Sequence, residues 1–451
     1  MSETCSSGRR AMRKHHVRFL PLIRSFVVIT VIFGTALGAV ASSSASSKTT
    51  KKVLSAKSAL AYNRTKKFVL PSGLKGSAPS TVKIALGGGY ATNYMALETA
   101  MGAGFFNAVD KRFNTTISFD LYGSSATSEP AFVAGTDQFI AIAPANQLAA
   151  VVGGQSQVAL MNLELGFGAV VSAPLADEAT RGSSIAAYGT SGNTWCQLSA
   201  AGATNTLLVL LAGENNISLP SVNLTTIGST AGELPDIQSG KCQVVSGEAN
   251  SAVLGEIEQV SYVLYDAPLP TKTIPLAGEQ IGEGLDSSPA FISQYPKLTQ
   301  AIVDATVRGL LFDQANGGNS DAIYKILPSA MTASLSIGAF AQNWQLLGTA
   351  FSTGRYDNGE FPTQAVNDTI SLDEATKAIP VGSALNPGQD FLNKYTIQSY
   401  KDFNEVPPLK QAVGPNTLPS VVGEPSLEAA TAYAALLGGA VPANTGPAKM
   451  R

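Results

Sequence analysis

Short turns of small polar residues are the part of this chain best suited to bind a ligand. An exposed helix N-terminus leaves backbone N–H groups unpaired and carries a partial positive charge of about +0.5. Glycine lets a ligand approach the backbone there, and serine or threonine adds a hydroxyl group. Such turns can bind an oxyanion or a carboxylate without a basic side chain, although ordinary helix capping uses the same residue types. Two turns have this composition: Gly123-Ser124-Ser125 and Thr190-Ser191-Gly192-Asn193.

Four further polar residues follow predicted strands and are candidate ligand contacts: Tyr90, Thr92, Asn146 and Glu248. Packing on the helix below is an equal alternative for Tyr90. Glu248 and its neighbour Asn250 can contact a ligand amine, and a solvated helix start is the alternative for both. Because the predicted turns contain no Lys or Arg, the expected ligand is a neutral or singly charged organic molecule.

The elements that would position these turns alternate between strands and helices. Apolar runs predict strands at 82–86, 117–122 and 138–143, and each run ends in small polar residues. Strands that alternate with helices indicate a parallel sheet. Ligands of such sheets lie beyond the carboxyl ends of the strands. The three strand ends therefore form one candidate binding edge.

The order and spacing of these elements resemble the substrate-binding proteins of ABC importers, in the nitrate, sulfonate, taurine and thiamine-precursor group. The resemblance covers residues 80 to 330 and implies an α/β chain with the two-lobed periplasmic-binding-protein type II fold. Each lobe would be an open, mainly parallel sheet flanked by helices, with extra helices at the C-terminus. The matching motifs are Gly102-Ala103-Gly104-Phe105-Phe106, Gly123-Ser124-Ser125, the step from Val133 to Asp137 and the step from Asp286 to Leu298.

Changes of composition and these motifs divide the chain. In the second lobe a strand is predicted at 181–189 and a helix from Trp195 to about Glu214, with Trp195 packing in the core rather than stacking on a ligand. We expect a hinge near 167–172 and 262–286. The predicted divisions are a secretory leader at 1–41, a flexible spacer with one short helix at 42–80, a first lobe at 81–175 and 285–411, a second lobe at 176–284 and a loose tail at 412–451.

The N-terminal segment has the pattern of a secretory leader. Basic residues precede an apolar run at 26–41, and Ala39-Val40-Ala41 is a signal for cleavage after Ala41. The apolar run is short for a membrane span, and an uncleaved anchor is the alternative. The leader predicts a secreted, periplasmic or cell-envelope location. Its removal leaves 24 basic and 31 acidic residues, a net charge of −7 that argues against a nucleic-acid partner.

Residue content restricts the chemistry open to the rest of the chain. Both histidines, His15 and His16, lie in the leader, which excludes a histidine-dependent catalytic set and a histidine-ligated metal elsewhere. We therefore predict no enzymatic activity, no metal and no cofactor. Cys196 and Cys242 remain as a pair in an oxidising compartment, where a disulfide and two buried free thiols are equal alternatives.

The resemblance implies a solute-binding receptor. It would capture a small polar organic molecule between its lobes and deliver that molecule to the membrane permease of an ABC importer, acting as a monomer. A membrane-tethered ligand sensor or scaffold on the same fold is the first alternative, and a hydrolase or lyase is the second.

Overall fold

The computed structural model describes residues 56–165, 169–182, 184–266, 280–316, 319–352 and 358–405. The predicted leader with its cleavage site, the first part of the spacer and the 412–451 tail lie outside the described residues, as do residues 167–168 and 267–279 of the predicted hinge. Within the described ranges, no helix is both long and apolar enough to cross a membrane.

The first of two sheets has four strands in one direction and one strand in the other. The strands are β1 (Thr81–Leu86), β2 (Thr116–Leu121), β3 (Phe139–Ile142), β4 (Val158–Leu165) and β10 (Ile281–Ser287). Their order is β2-β1-β3-β10-β4, and β10 runs antiparallel to both of its neighbours. The amino end of β10 therefore lies at the same edge as the carboxyl ends of the other strands.

Helices cover this sheet and extend it toward the C-terminus. They are α1 (Ala56–Asn63), α2 (Met95–Gly102), α3 (Phe106–Phe113), α4 (Ser125–Val133), α5 (Pro144–Val152), α10 (Pro289–Gln294), α11 (Pro296–Asn316), α12 (Ser320–Tyr324), α13 (Ser329–Ser334), α14 (Ile337–Ser352), α15 (Thr363–Ala375), α16 (Pro387–Asp390) and α17 (Lys394–Phe403). The long helix α11 is almost wholly buried and packs against α2, so it forms the centre of the larger hydrophobic core.

The second sheet repeats this arrangement. Its strands are β5 (Ala169–Pro174), β6 (Thr194–Gln197), β7 (Asn223–Thr226), β8 (Val244–Glu248) and β9 (Ser261–Asp266), in the order β7-β6-β8-β5-β9. The flanking helices are α6 (Glu178–Arg181), α7 (Ala203–Glu214), α8 (Glu233–Gln238) and α9 (Ala249–Ile257). Here β5 is the strand that runs against its neighbours, and Ala169 at its start pairs with Glu248 at the end of β8.

Two mainly parallel sheets flanked by helices confirm the predicted α/β fold class, but the lobe boundaries need correction. The sequence places β5 in the first lobe, whose predicted boundary is residue 175. In the structure β5 belongs to the second sheet. The predicted boundary at 284 cuts through β10, which belongs entirely to the first sheet. Both strands run against their neighbours, a property that an apolar run in the sequence does not reveal.

The prediction for the start of the second lobe was wrong. The described part of 181–189 is not a strand but the end of α6 and a short 3-10 helix, Ile185–Tyr188. The strand is β6, so Trp195 lies in a strand rather than at a helix start. Its indole Nε1 donates to the carbonyl oxygen of Tyr188 at 3.0 Å inside the core, as expected for a packing residue.

Cys196 of β6 and Cys242, just before β8, form a disulfide in the structure. Their Cα atoms are 5.9 Å apart, within the usual range for such a bond. Both residues are fully buried beside Ile237 and Val245. The bond therefore links β6 to the segment that leads into the neighbouring parallel strand β8.

The spacer prediction is also corrected where the structure describes it. Residues 56–80 pack on the first lobe, and Leu70 is part of its core. The guanidinium group of Arg308 on α11 is fully buried and donates to four backbone carbonyl groups of this segment. The acceptors, at 2.8–3.3 Å, are the carbonyl oxygens of Tyr62, Asn63, Thr65 and Lys67.

Candidate functional site

In each sheet the parallel strands end at one edge, and these two edges face each other. A cavity of about 40 Å³ lies between them. The first sheet and its loops contribute Gly87, Gly88, Asn93, Tyr94, Ser124, Ser125, Ala143 and Glu283. The second contributes Ala169, Leu198, Ser199, Gly202, Ala203, Thr204 and Glu248. Since about 10–15 Å³ holds one water molecule, this space admits only a few heavy atoms.

The first-lobe wall is built from the strand ends of β1 and β2. Gly87 and Gly88 follow β1, and Ser124 and Ser125 stand at the start of α4. The backbone N–H of Ser124 donates to Thr127 Oγ1 at 3.2 Å, which fixes the turn. Ser124 and Ser125 both line the cavity, so their hydroxyl groups can reach a bound molecule.

The second-lobe wall follows β6 and β8. Ser199 lies just beyond β6, and Gly202 precedes the first residue of α7. Thr204 Oγ1 accepts from the backbone N–H of Leu198 at 3.1 Å, so the hydroxyl ties the helix start to the strand end. Glu248 closes this wall at the end of β8.

Two carboxyl groups enter the cavity from opposite lobes. Glu283 comes from the amino end of β10, and Glu248 comes from β8. Glu283 Oε1 accepts from Asn93 Nδ2 at 3.2 Å. A Cβ atom placed on Gly88 would lie 3.1 Å from Glu248 Oε1. The carboxyl group of Glu248 in the second lobe thus lies against the backbone of the first lobe at Gly88.

Burial changes the acidity of both groups. Desolvation raises the pKa of Glu248 to about 8. It also holds the pKa of Glu283 well above the ordinary range, and the nearby charge of Glu248 adds to the effect while the Asn93 hydrogen bond opposes it. Without a bound ligand, both carboxyl groups are therefore largely protonated at neutral pH.

The lobes also touch outside the cavity. The backbone N–H of Thr230 donates to the carbonyl oxygen of Gly123 at 3.3 Å. Asn250 Nδ2 of α9 donates to the carbonyl oxygen of Tyr90 at 3.2 Å. Asn343 on α14 hydrogen-bonds to Asn250 as well. These contacts hold the two walls together, so the structure has a closed cleft.

Three of the residues predicted for the site come together in the cavity: Ser124, Ser125 and Glu248. Gly123 lies beside them at the contact with Thr230. Tyr90 packs partly on the core, and Thr92 is buried with its Oγ1 3.4 Å from Asn343 Oδ1. Asn146 is not among the residues that line the cavity, although its Oδ1 would lie 3.5 Å from a Cβ atom on Gly202.

The turn at 190–193 does not belong to this site. It precedes β6, so it lies at the amino end of a strand whose carboxyl end faces the cavity. Asn193 Nδ2 donates to Thr190 Oγ1 at 3.0 Å, while Ser191 and Gly192 are exposed. The turn that faces the first lobe is instead at 198–204, where a continuous helix was predicted.

The polar cavity residues that the sequence did not suggest are Asn93, Tyr94, Ser199, Thr204 and Glu283. A signal existed for two of them. Gly202 followed by two small residues after an apolar run matches the other strand-end turns, and it would have pointed to Ser199. An acidic residue inside the apolar run around Glu283 was a second signal. Among the residues that the structure describes, no group of three His, Cys, Asp or Glu is arranged to hold a metal ion.

Comparison with known proteins is informative at the level of the fold. No protein-family model and no curated protein matches the chain. A solved structure of a protein from Bordetella bronchiseptica RB50 has a TM-score of 0.59 and 20% sequence identity, covering 72% of this chain and 98% of that one.

Two further structures carry descriptive names. The periplasmic nitrate-binding protein NrtA from Synechocystis PCC 6803 has a TM-score of 0.53 and 9% identity, covering 71% of this chain and 85% of that one. The periplasmic sulfonate-binding protein SsuA from Methylobacillus flagellatus KT has a TM-score of 0.53 and 12% identity, covering 75% and 97%. At such low identity these similarities define the fold alone, which is the two-lobed fold of periplasmic binding proteins.

Proposed function

We propose that this protein is an extracytoplasmic solute-binding receptor that captures a small polar molecule between its lobes and delivers it to an ABC importer. The observation that carries the proposal is a small polar cavity whose walls come from both sheets. Each wall is built at strand ends, where open α/β sheets bind ligands. A ligand in this position contacts both lobes only when the cleft is closed, so its binding energy favours closure.

The fold similarity to periplasmic proteins supports an extracytoplasmic location and a permease as partner. Capture without chemistry is favoured over a hydrolase or lyase because the cavity offers hydroxyls and carboxyls but, among the residues described, no histidine to activate a nucleophile. A membrane-tethered sensor on the same fold would use the same cleft, and the state of the N-terminus distinguishes the two roles.

The test is a substitution that prevents closure. Gly88→Leu would place its side chain against Glu248 Oε1, because a Cβ atom alone comes within 3.1 Å of it. We expect a ligand found by thermal-shift screening to bind at least tenfold more weakly, a loss of about 1.4 kcal/mol. Small-angle scattering should show that the ligand contracts the wild-type protein but not the variant.

Gly73→Leu is the matched control, since nothing lies within 4 Å of a Cβ atom at that exposed position. It should bind the ligand as the wild type does. Wild-type affinity in Gly88→Leu would contradict capture between the lobes, and conversion of the ligand into a product would contradict a receptor without catalysis.

A further inference from the structure

We propose that the ligand of this cavity is a small cation with N–H donors, an ammonium or amidinium group, held between Glu283 of the first lobe and Glu248 of the second. The inference rests on the proposed capture function and names the ligand class of the same site. It narrows the neutral or singly charged organic molecule that the sequence predicts, and it departs from the oxyanion or carboxylate that a helix-start turn can also bind.

With Glu283 ionised, the buried oxygen atoms of the cavity require hydrogen-bond donors. Glu283 is 6% exposed and Asn93 is 3% exposed. The described residues provide no hydrogen-bond partner for Glu283 Oε2 or for Asn93 Oδ1. Both residues line the cavity. Leaving a buried acceptor unpaired is costly, so a bound molecule that donates to both oxygens removes that cost.

The charges around the cavity favour a cation and oppose an anion. No Lys, Arg or His is found among the described lining residues. The charged groups that act on Glu283, Glu248 or the neighbouring Tyr94 are all acidic. Beyond the two cavity carboxyls, they are Glu98 on α2, Glu164 on β4, Glu233 on α8 and Asp286 on β10.

A cation would also couple binding to closure. Glu283 and Glu248 belong to different lobes, and when both are ionised their charges repel each other in the shut cleft. A positive charge between them turns that repulsion into two attractions. Closure of the ionised protein therefore depends on the ligand, which is the behaviour that a receptor needs.

The cationic ligand class predicts a definite pH dependence. Because burial raises the pKa of Glu248 to about 8 and that of Glu283 well above its usual range, a cation entering at pH 7 displaces protons. Its affinity should rise with pH, up to tenfold per unit for each proton released. An anion or a hydrogen-bond acceptor would use the protonated carboxyls, and its affinity should fall as pH rises.

The experiment is calorimetric titration of the purified protein at pH 6, 7 and 8. The nitrogen cations tested are ammonium, methylammonium and guanidinium. Nitrate, methanesulfonate, acetamide and Ca²⁺ represent the other ligand classes. We expect at least one nitrogen cation to bind, with affinity increasing from pH 6 to 8. Its binding heat should differ between buffers of different ionisation enthalpy, because protons are released.

Glu283→Gln should lower the affinity for the cation at least tenfold and reduce the number of protons released on binding. Glu258→Gln removes the same charge from an exposed site on the second lobe and should change neither. If Glu283→Gln fails to fold, the pH profile of the wild type still decides the question.

The proposed cationic ligand would be contradicted if only nitrate, methanesulfonate, acetamide or Ca²⁺ bound to the protein. It would also be contradicted if the affinity for nitrogen cations decreased with rising pH. In those cases the capture function stands if Gly88→Leu abolishes binding of the same probe. A cation that binds equally well to Gly88→Leu would instead contradict capture between the lobes.

Discussion

At the scale of single residues, the buried charge of Arg308 is compensated by backbone rather than by an acid. Four carbonyl groups of the segment at 62–67 accept from it. Its guanidinium also lies 4.5 Å from the centroid of the Tyr62 ring. A planar group with five donors suits several carbonyls at once, whereas the point charge of a lysine does not. Together with Leu70 in the core, this side chain explains why a Ser- and Lys-rich segment packs instead of forming a spacer.

Arg308→Met should therefore destabilise the protein by at least about 3 kcal/mol, since each orphaned buried carbonyl costs about 1–3 kcal/mol. Urea unfolding gives the free energy, and limited proteolysis should show faster cleavage at 56–80. Lys57→Met, on the exposed side of the same segment, should change neither. Unaltered stability of Arg308→Met would mean that the segment docks without this contact.

At the scale of elements, the larger core depends on the close approach of α2 and α11. A Cβ atom on Gly309 would overlap the carbonyl oxygen of Ala96 and lie 3.1 Å from the backbone N of Ala100. Only glycine leaves room for this helix contact, and α2 follows directly on the 3-10 helix that carries Asn93 and Tyr94. The packing of two helices thus determines where one wall of the cavity stands.

Gly309→Ala should lower stability by about 1–3 kcal/mol, because the methyl group must push backbone rather than a flexible side chain. Gly338→Ala in α14 is the matched control, since nothing lies within 4 Å of its Cβ position. That change should be neutral or stabilising by up to about 1 kcal/mol. Thermal melts of the two variants compare them directly, and equal melting temperatures would argue against tight α2–α11 contact.

At the scale of the whole molecule, buried acids make stability depend on pH. Burial, aided by the charge of Glu248, raises the pKa of Glu233 from an ordinary 4.5 to about 8. The folded state then binds more protons than the unfolded state between these two values. Stability is greatest below about pH 4.5 for this group and is lost as pH rises toward 8.

The melting temperature of the ligand-free protein should consequently fall between pH 5 and pH 8.5. Glu233→Gln should make that fall smaller, because one of the groups that must ionise is gone. Glu178→Gln, at an exposed position, should leave the slope unchanged. A melting temperature that rises over this interval would show that the buried acids are ionised in the folded protein.

Local patterns in the sequence predicted helices and strands correctly where a segment fitted a single pattern. The strands near 82 and 117 and the turn at Ser124 follow from apolar runs ended by small capping residues, and these features act within a few positions. The strand prediction at 181–189 failed because an apolar stretch of that length also fits a 3-10 turn. The error moved the second predicted turn from 198–204 to 190–193.

The sequence by itself determined the alternation of strands and helices, and with it the two-sheet α/β fold. The resemblance placed the return to the first lobe near 285, but only the tertiary structure decided that β10 runs antiparallel between β3 and β4 and brings Glu283 opposite Glu248. Strand periodicity reports which residues are buried, but sheet pairing depends on contacts between residues more than a hundred positions apart. The acidity of the two carboxyls depends on how much water the closed lobes exclude, and that is a property of the assembled molecule alone.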